Sequence, residues 1–241
     1  MKKWLFLLWL AVMGPLVAVS TFNLPVSTVV IDAGHGGGDP GAIGQTLCEK
    51  EVTLNIALQL AKYLEAQSSL SVTLTRDDDS YLSLEERSQI AQTTNPGVGK
   101  SLLFISIHAN SSPSEEASGY ELLIKKSSHW VNFLNANSAD WQMLRFATES
   151  GATLNKALNR QNLLLANSIN NALTQAFPAA KNRGVKEQDI WVLNNSLNPA
   201  VLVEVAFISN VAEESLMAQP WWQTKMAHAI GAGILAYITD Y

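Results

Sequence analysis

The sequence predicts an α/β fold in which one domain is built on a mostly parallel sheet covered by helices on both faces. Apolar β-type runs alternate with helix-like stretches through most of the chain, an order typical of such sheets. The composition, with 47% hydrophobic and 15% charged residues in a chain of 241, is that of a globular protein with one sizeable core. We find no internal repeat and no second domain.

Residues 1–20 have the features of an export signal. Lys2 and Lys3 precede an apolar run from residue 4 to 13, and Ala18 and Ser20 are small residues where signal peptidase would cleave. The run is short for a permanent membrane anchor, although an uncleaved N-terminal anchor is the alternative interpretation. We therefore expect a signal peptide at 1–20 and a folded domain at 21–241. The protein is expected to be exported to the periplasm or the cell exterior without a permanent anchor.

The charge balance argues against one class of partner, and the cysteine content excludes one source of stability. The formal net charge is −5, and loss of Lys2 and Lys3 would leave 14 basic against 21 acidic residues, or −7. This balance argues against nucleic acid as a partner, because phosphate binding needs clustered Lys and Arg. Cys48 is the only cysteine, so an internal disulfide is excluded and stability must come from the core.

The first predicted strand leads into a glycine-rich loop that we take as the centre of a site. The stretch VVIDAGHGGGDPGAIG, residues 29–44, begins with three apolar β-formers, reaches Asp32 and then holds His35 among six glycines. Glycine allows close approach of backbone to a ligand, and ligands of open α/β sheets bind beyond the carboxyl ends of strands. A plain glycine-rich turn is the alternative. The stretch fits neither phosphate-loop pattern.

The later elements follow from periodicity and capping signals. Val52, Ile56, Leu60 and Leu64 form an apolar stripe at intervals of four, which predicts a helix from 51 to 67. A capping box that begins at Ser83 predicts a second helix. Apolar runs and turn signals predict strands at 71–75, 102–107, 120–124, 190–193 and 200–206, and helices at 84–92, 163–177 and 219–237.

Polar residues at predicted strand ends suggest a metal site. His35 follows the first strand, His108 follows the run LLFISI, and Glu49 opens the helix that follows the glycine loop, so all three are expected at one edge of the sheet. Two His and one Glu would leave one position of a tetrahedral zinc free for water. The alternatives are that Glu49 merely favours a helix N-terminus and that His108 is a satisfied core histidine.

Glu204 lies inside the apolar run VLVEVAF, where an ionised carboxylate is costly unless it has a partner or a task. Such surroundings favour the protonated form and suit a general base and acid near neutral pH. The alternative is a buried salt bridge to Arg76 or Arg87. Asp32 and Asn110 are candidates for orienting the ligands, Asp32 by accepting from a ring N–H, and ordinary turn hydrogen bonds are the alternative for both.

A set of motifs resembles the zinc-dependent N-acetylmuramoyl-L-alanine amidases of bacterial cell walls, amidase type 3. In order they are VVIDAGHGGGDPGAIG, Glu49-Lys50, LTRD, LEER, SIHAN, NRGVK and PAVLVEVAFISN, which together span about residues 27–238. The resemblance implies a twisted, six-stranded sheet, one Zn²⁺ held by His35, Glu49 and His108, and Glu204 as the catalytic glutamate. It also implies cleavage of the amide between N-acetylmuramic acid and L-alanine in peptidoglycan, in wall remodelling or daughter-cell separation.

Other classes of function remain open from the residues alone. A zinc peptidase or deacetylase would use the same metal set and would differ in its cleavage products. A non-catalytic wall-binding module would lack a ligand or Glu204, and all four residues are present. An exported structural protein would bind no metal.

Residues 125–160 interrupt the alternation with a polar insert that carries Trp130, Phe133, Trp141 and Phe146. In some cell-division members of the family that this chain resembles, an inserted helix covers the zinc and supplies a glutamate until an activator binds. Here the acids of the insert are Asp140 and Glu149, and residues 139–148 are predicted to form a short helix. One hypothesis is that either acid closes the site and a protein activator acts on the insert. The alternative is a surface excursion whose aromatic residues complete the core or contact glycan.

Overall fold

The computed structural model describes residues 21–240, so the predicted signal peptide lies outside the described residues. The described chain forms six strands, β1 (Val26–Ala33), β2 (Ser71–Leu74), β3 (Ser101–Asn110), β4 (Tyr120–Lys125), β5 (Asn182–Gln188) and β6 (Ala200–Phe207). Its helices are α1 (Glu49–Gln67), α2 (Leu84–Thr93), α3 (Asp140–Phe146), α4 (Gly151–Ala176), α5 (Trp191–Asn194), α6 (Val211–Met217) and α7 (Pro220–Asp240). Within this part of the chain, no helix combines the length and apolar character needed to cross a bilayer.

The six strands form one sheet in the order β2-β1-β3-β6-β4-β5. All neighbouring strands are parallel except β4 and β6, which are antiparallel. The predicted fold class, a single α/β domain on a mostly parallel six-stranded sheet, is confirmed. The carboxyl ends of β1, β3 and β6 therefore meet at one edge, here called the upper edge, and their amino ends meet at the lower edge.

Helices cover the two faces of the sheet unequally. On the back face, α1, α4 and α7 pack over a large apolar cluster that includes Ile31, Ile105 and Val203. On the front face, α2 and α5 pack over a smaller cluster that includes Phe104 and Leu202. Because α5 is only four residues long, the front face is less fully covered, and this leaves room for a site.

The prediction of a strand at 190–193 is wrong. Trp191–Asn194 is the short helix α5, and the strand next to it in sequence is β5, from Asn182 to Gln188. β5 lies at the end of the sheet and has a neighbour on one side only, so most of its residues are exposed or half-buried and it carries no apolar run. Val192 and Leu193 are apolar because a helical turn packs them onto the front face.

The insert at 125–160 is more ordered in structure than its composition suggests. The short helix predicted at 139–148 is confirmed as α3, and α4 already begins at Gly151 rather than at Leu163. Asn155 on α4 fixes the preceding segment, since its side chain accepts from Val131 N at 2.8 Å and donates to Val131 O at 2.9 Å. The buried apolar residues of this region form a separate cluster of Phe22, Val131, Phe133, Phe146, Leu154, Leu158 and Leu197.

Candidate metal centre and catalytic glutamate

The loop after β1 brings His35 to the upper edge through a strained backbone. His35 has φ of 60°, and it is the one non-glycine residue with positive φ in the described chain. Gly34 is required beside it, because a Cβ there would lie 2.4 Å from Cε1 of His108. Backbone strain of this kind costs about 1–3 kcal/mol and persists where the surrounding structure enforces it, often at functional sites.

Glu49, the first residue of α1, places its carboxylate between two imidazole rings. Its Oε2 lies 3.1 Å from Nε2 of His35, and its Oε1 lies 2.9 Å from Nδ1 of His108. The N–H groups of Ala42 and Ala109 donate to these oxygens at 2.8 and 2.9 Å. The carboxylate is therefore held in one orientation, with both rings turned towards it.

The three side chains fit a zinc ion. One ligand atom from each of His35, Glu49 and His108 lies within 4.8 Å of the others. Tetrahedral zinc, with bonds of about 2.0–2.2 Å, separates its ligand atoms by roughly 3.3 Å, close to the 2.9 and 3.1 Å contacts between rings and carboxylate. Two imidazoles and one carboxylate form a donor set of catalytic zinc, which keeps its fourth position for water or substrate.

Electrostatic coupling reinforces this geometry. Burial opposes ionisation of Glu49, but hydrogen bonds with His108 and His35 outweigh it and hold the pKa of the carboxyl far below its usual range. Burial would lower the pKa of His35, but hydrogen bonds with Glu49 and Asp39 raise it. Asp39 Oδ2 lies 2.8 Å from Nδ1 of His35, so it fixes the ring and leaves Nε2 to face Glu49. The ionised carboxylate of Glu49 draws protons onto the imidazole rings beside it. A divalent cation bound between these groups would replace those protons as the positive charge that faces the carboxylate.

Glu204 lies on β6, directly across from His108 on β3. Its Oε2 is buried and has no hydrogen-bond partner within the described structure. Burial raises the pKa of Glu204 to about 7, an increase that the nearby His108 partly opposes. A carboxyl with this pKa exchanges protons readily near neutral pH, as a general base and acid must.

The salt-bridge alternative for Glu204 is excluded by the positions of the two arginines. Arg87 pairs with Asp32, with Nη1 and Oδ1 at 2.8 Å. Arg76 is also buried, and its guanidinium donates to the backbone oxygens of Ala33 and Gly34. Neither arginine pairs with Glu204, so a salt bridge with either of them does not account for its buried oxygen.

A cavity of about 180 Å³ opens beside the cluster on the front face. His35 and His108 line one part of it and Leu202 another. Tyr81 and Trp191, which are 59% and 46% exposed, border it. The cavity lies beyond the carboxyl ends of β1 and β3, where open α/β sheets bind ligands.

Comparison with known proteins identifies the family. A family profile described as N-acetylmuramoyl-L-alanine amidase matches residues 29–236. The chain belongs to the N-acetylmuramoyl-L-alanine amidase family. A germination-specific amidase of Bacillus subtilis is 30% identical over 232 residues, which cover 91% of this chain and 84% of that protein.

Solved structures agree with this family. The amidase AmiC2 of Nostoc punctiforme has 31% identity and a TM-score of 0.69, covering 88% of this chain and 97% of that one. The CwlD amidase of Clostridioides difficile, solved in complex with the GerS lipoprotein, has 27% identity and a TM-score of 0.71, covering 89% and 100% of the two chains.

Asp32 has a different role in this amidase from the one predicted. Its carboxylate does not orient a ligand ring, since it accepts from Thr75 Oγ1 and Ser106 Oγ at 2.8 and 2.7 Å and pairs with Arg87. Arg87 in turn donates from Nη2 to the backbone oxygen of His35 at 2.6 Å. Side chains in a strand alternate between faces, and Asp32 therefore points into the front-face interior rather than into the loop that holds His35.

Asn110 also contacts neither histidine ring. Its Nδ2 donates to Glu121 Oε1 at 2.8 Å, and its Oδ1 accepts from Ser111 N at 2.8 Å. Glu121 lies directly across from Glu204 in the antiparallel pair of β4 and β6. Asn110 thus holds a residue next to Glu204 rather than the candidate metal ligands.

Two residues that support the candidate site are not among those that the sequence analysis nominated. Asp39 follows His35 by four residues in a DPG turn, a signal that the sequence did offer. Glu214 on α6 supports the loop before Glu49, because its Oε1 accepts from the N–H groups of Thr46 and Leu47 at 2.6 and 3.0 Å. Nothing in the sequence indicated this contact, since it joins segments far apart in the chain.

The acids of the insert do not lie at the cluster of His35, Glu49 and His108. Oε1 of Glu149 accepts from Thr21 N and Oγ1 at 2.8 and 2.6 Å, just before β1 begins. Arg145 of α3 donates to Asn198 Oδ1 at 2.6 Å, just before β6 begins. Asp140 is exposed at the start of the same helix. The insert packs at the lower edge, so the hypothesis that it closes the site does not fit this arrangement.

Proposed function

We propose that this amidase is an exported, zinc-dependent enzyme that cleaves the amide between N-acetylmuramic acid and L-alanine in peptidoglycan. The observation that carries the proposal is the position of Glu204, which lies across from His108 and whose Oε2 is buried without a hydrogen-bond partner in the described structure. A carboxyl group whose pKa is raised to about 7, beside a cluster of two His and one Glu, is suited to hydrolysis.

The side chains divide the work of hydrolysis. Zinc bound by His35, Glu49 and His108 would activate a water and polarise the scissile carbonyl. Glu204 would take a proton from the attacking water and return it to the leaving nitrogen as the C–N bond breaks, giving a free carboxylate on the sugar and a free amine on L-alanine. Asp39 would keep the His35 ring oriented throughout.

The border of the cavity suits the sugar part of this substrate. Exposed rings at its border, Tyr81 and Trp191, can stack on a sugar. The family's name supports peptidoglycan as substrate. We also propose export to the cell wall, as the predicted signal peptide suggests. A protein activator is a further proposal, prompted by the complex of CwlD with GerS, but an activator of this chain would have to act elsewhere than on a lid formed by α3.

One experiment tests this function. Purified protein is assayed for zinc and incubated with murein, with and without excess chelator, and the products are analysed by mass spectrometry. We expect the purified protein to contain zinc. We expect the products to be glycan strands without peptides and peptides that begin with a free L-alanine amine, and excess chelator should prevent their formation. Cleavage within the peptide or loss of acetyl groups would indicate a peptidase or deacetylase. Undiminished hydrolysis in chelator would contradict the metal assignment.

A further inference from the structure

Beside Glu204, two cations converge on one buried carboxylate. Glu121 on β4 accepts from Nε of Arg183 at 3.0 Å and from Nζ of Lys186, both on β5. It also accepts from Asn110 at 2.8 Å. The guanidinium of Arg183 lies 4.9 Å from the ring centre of Phe207, so its plane is held in place.

The charges in this cluster do not cancel. Arg183, Lys186 and Glu121 together carry an excess of one positive charge, which the neighbouring Glu204, across from Glu121, offsets only when it is ionised. The side chains of Arg183 and Lys186 are 27% and 44% exposed, whereas that of Glu121 is 9% exposed. Glu121 is the only group that accepts from Lys186 in the described structure, and Nη2 of Arg183 has no acceptor there. Donors therefore remain available to a ligand.

The strand register places this excess charge on the face that carries the site. Leu202, which lines the cavity, lies across from Leu123 on β4, and Leu123 lies across from Lys186 on β5. Directly paired residues project from the same face of a sheet, and adjacent strands are about 4.8 Å apart. Lys186 thus lies on the front face, roughly 10 Å to the side of β6.

We propose that Arg183 and Lys186 form a binding subsite for a carboxylate in the peptide part of the substrate. The inference rests on the proposed function, because it takes the scissile amide to lie at Glu204. An extended peptide advances about 3.3 Å per residue, so the subsite would meet a group two to three residues beyond the cleaved bond. Arg presents paired N–H donors that match a carboxylate, and Lys adds a point charge.

A purely structural role would be to neutralise the buried Glu121. That task needs one cation, and Asn110 already donates to the other carboxylate oxygen. The second cation adds little to stability, since partly exposed ion pairs are worth about 0–1 kcal/mol. A role in binding explains why both cations remain half-open to solvent on the front face.

The test uses two soluble muramoyl-peptides of equal length, one with free peptide carboxylates and one with those carboxylates amidated. Wild type, Arg183→Gln, Lys186→Gln, Lys186→Arg and Lys156→Gln are assayed on both. Lys156 is exposed on α4, and its substitution matches the charge change elsewhere on the surface. Thermal unfolding of each variant is measured in parallel.

We expect wild type to prefer the free-carboxylate substrate through a lower KM. Each Gln variant should reduce this preference about ten-fold, while Lys186→Arg and Lys156→Gln should retain it. Added salt should weaken the preference. Equal losses on both substrates together with a lower Tm would show a structural role and overturn the subsite. A wild type that cleaves both substrates equally would overturn the subsite alone, and one that cleaves neither would overturn the proposed function as well.

Discussion

The upper and lower edges of the sheet are built on opposite principles. At the upper edge, His35 has a left-handed backbone, Gly34 and Gly41 leave no space for a Cβ, and a buried oxygen of Glu204 has no hydrogen-bond partner in the described structure. At the lower edge, the insert packs an aromatic cluster in which the rings of Phe22 and Phe146 contact each other with centres 6.3 Å apart. The strained and preorganised groups of the upper edge lower the stability of the fold, whereas apolar burial at the lower edge raises it.

The lower edge also holds a buried charge, Arg145, whose Nε and Nη2 have no hydrogen-bond partner in the described structure. The guanidinium of Arg145 lies 5.6 and 4.8 Å from the ring centres of Phe22 and Phe146, at the distance of cation–π contacts. Burial lowers the pKa of Arg145 to about 10. Substitutions at the upper edge should therefore change activity with little loss of stability. Substitutions at the lower edge should lower the stability and leave activity unchanged.

The largest expected effect is at the upper edge. Glu204→Gln keeps the shape of the side chain but removes the proton acceptor, so turnover of murein should fall by roughly 10²–10⁴-fold. Metal content and Tm should stay near those of wild type. His108→Ala is the contrasting variant, because it should lose bound metal as well. Near-normal turnover in Glu204→Gln would mean that another residue is the base.

At the lower edge, Phe146→Ala should lower the free energy of unfolding by about 3–5 kcal/mol, the usual cost of removing a buried aromatic ring. Phe146 is 1% exposed, whereas Leu144 on the same helix is 71% exposed, so Leu144→Ala is the matched control. Urea unfolding gives the stability, and kcat on murein at low temperature should be unchanged. A large fall in kcat with intact stability would make the insert part of the active site.

A single methyl group should perturb the metal ligands. A Cβ on Gly41 would lie 2.6 Å from Cδ2 of His35 and 2.7 Å from Oε2 of Glu49, at a residue with φ of 67°. Gly41→Ala should therefore weaken metal affinity about 10–100-fold, the scale of disturbed ligand support. Gly38→Ala is the control, because its Cβ would meet nothing within 4 Å. Equal metal affinity of the two variants, measured by competition with a chelating dye, would contradict the assigned ligand geometry.

The smallest effect is expected for the acids of the insert. Glu149→Ala removes two hydrogen bonds to Thr21 and should cost about 1–2 kcal/mol of stability. Basal hydrolysis of murein should stay flat, and Asp140→Ala should change neither property. A rise in basal hydrolysis in either variant would restore the hypothesis that an acid of the insert occludes the site.

Elements with a strong local pattern are the ones that the sequence predicts correctly. Strong periodicity predicted α1, and continuous apolar runs predicted β3 and β6, because both strands are buried on two faces. The edge strand β5 was missed for the opposite reason, since an exposed strand carries no apolar run. His35, Glu49, His108 and Glu204 could be nominated as a site because each breaks or ends a local pattern with a polar group.

The sequence by itself therefore determined the fold class, the family and the cluster of candidate residues, all of which depend on local patterns and short motifs. Only the tertiary structure decided what those residues touch. In the structure, Asp39 rather than Asp32 contacts the His35 ring. The insert lies at the lower edge, and Arg183 and Lys186 pair with Glu121. The physical reason is that such contacts join segments distant in the chain, and strand order and register, which local sequence does not encode, decide which of them meet.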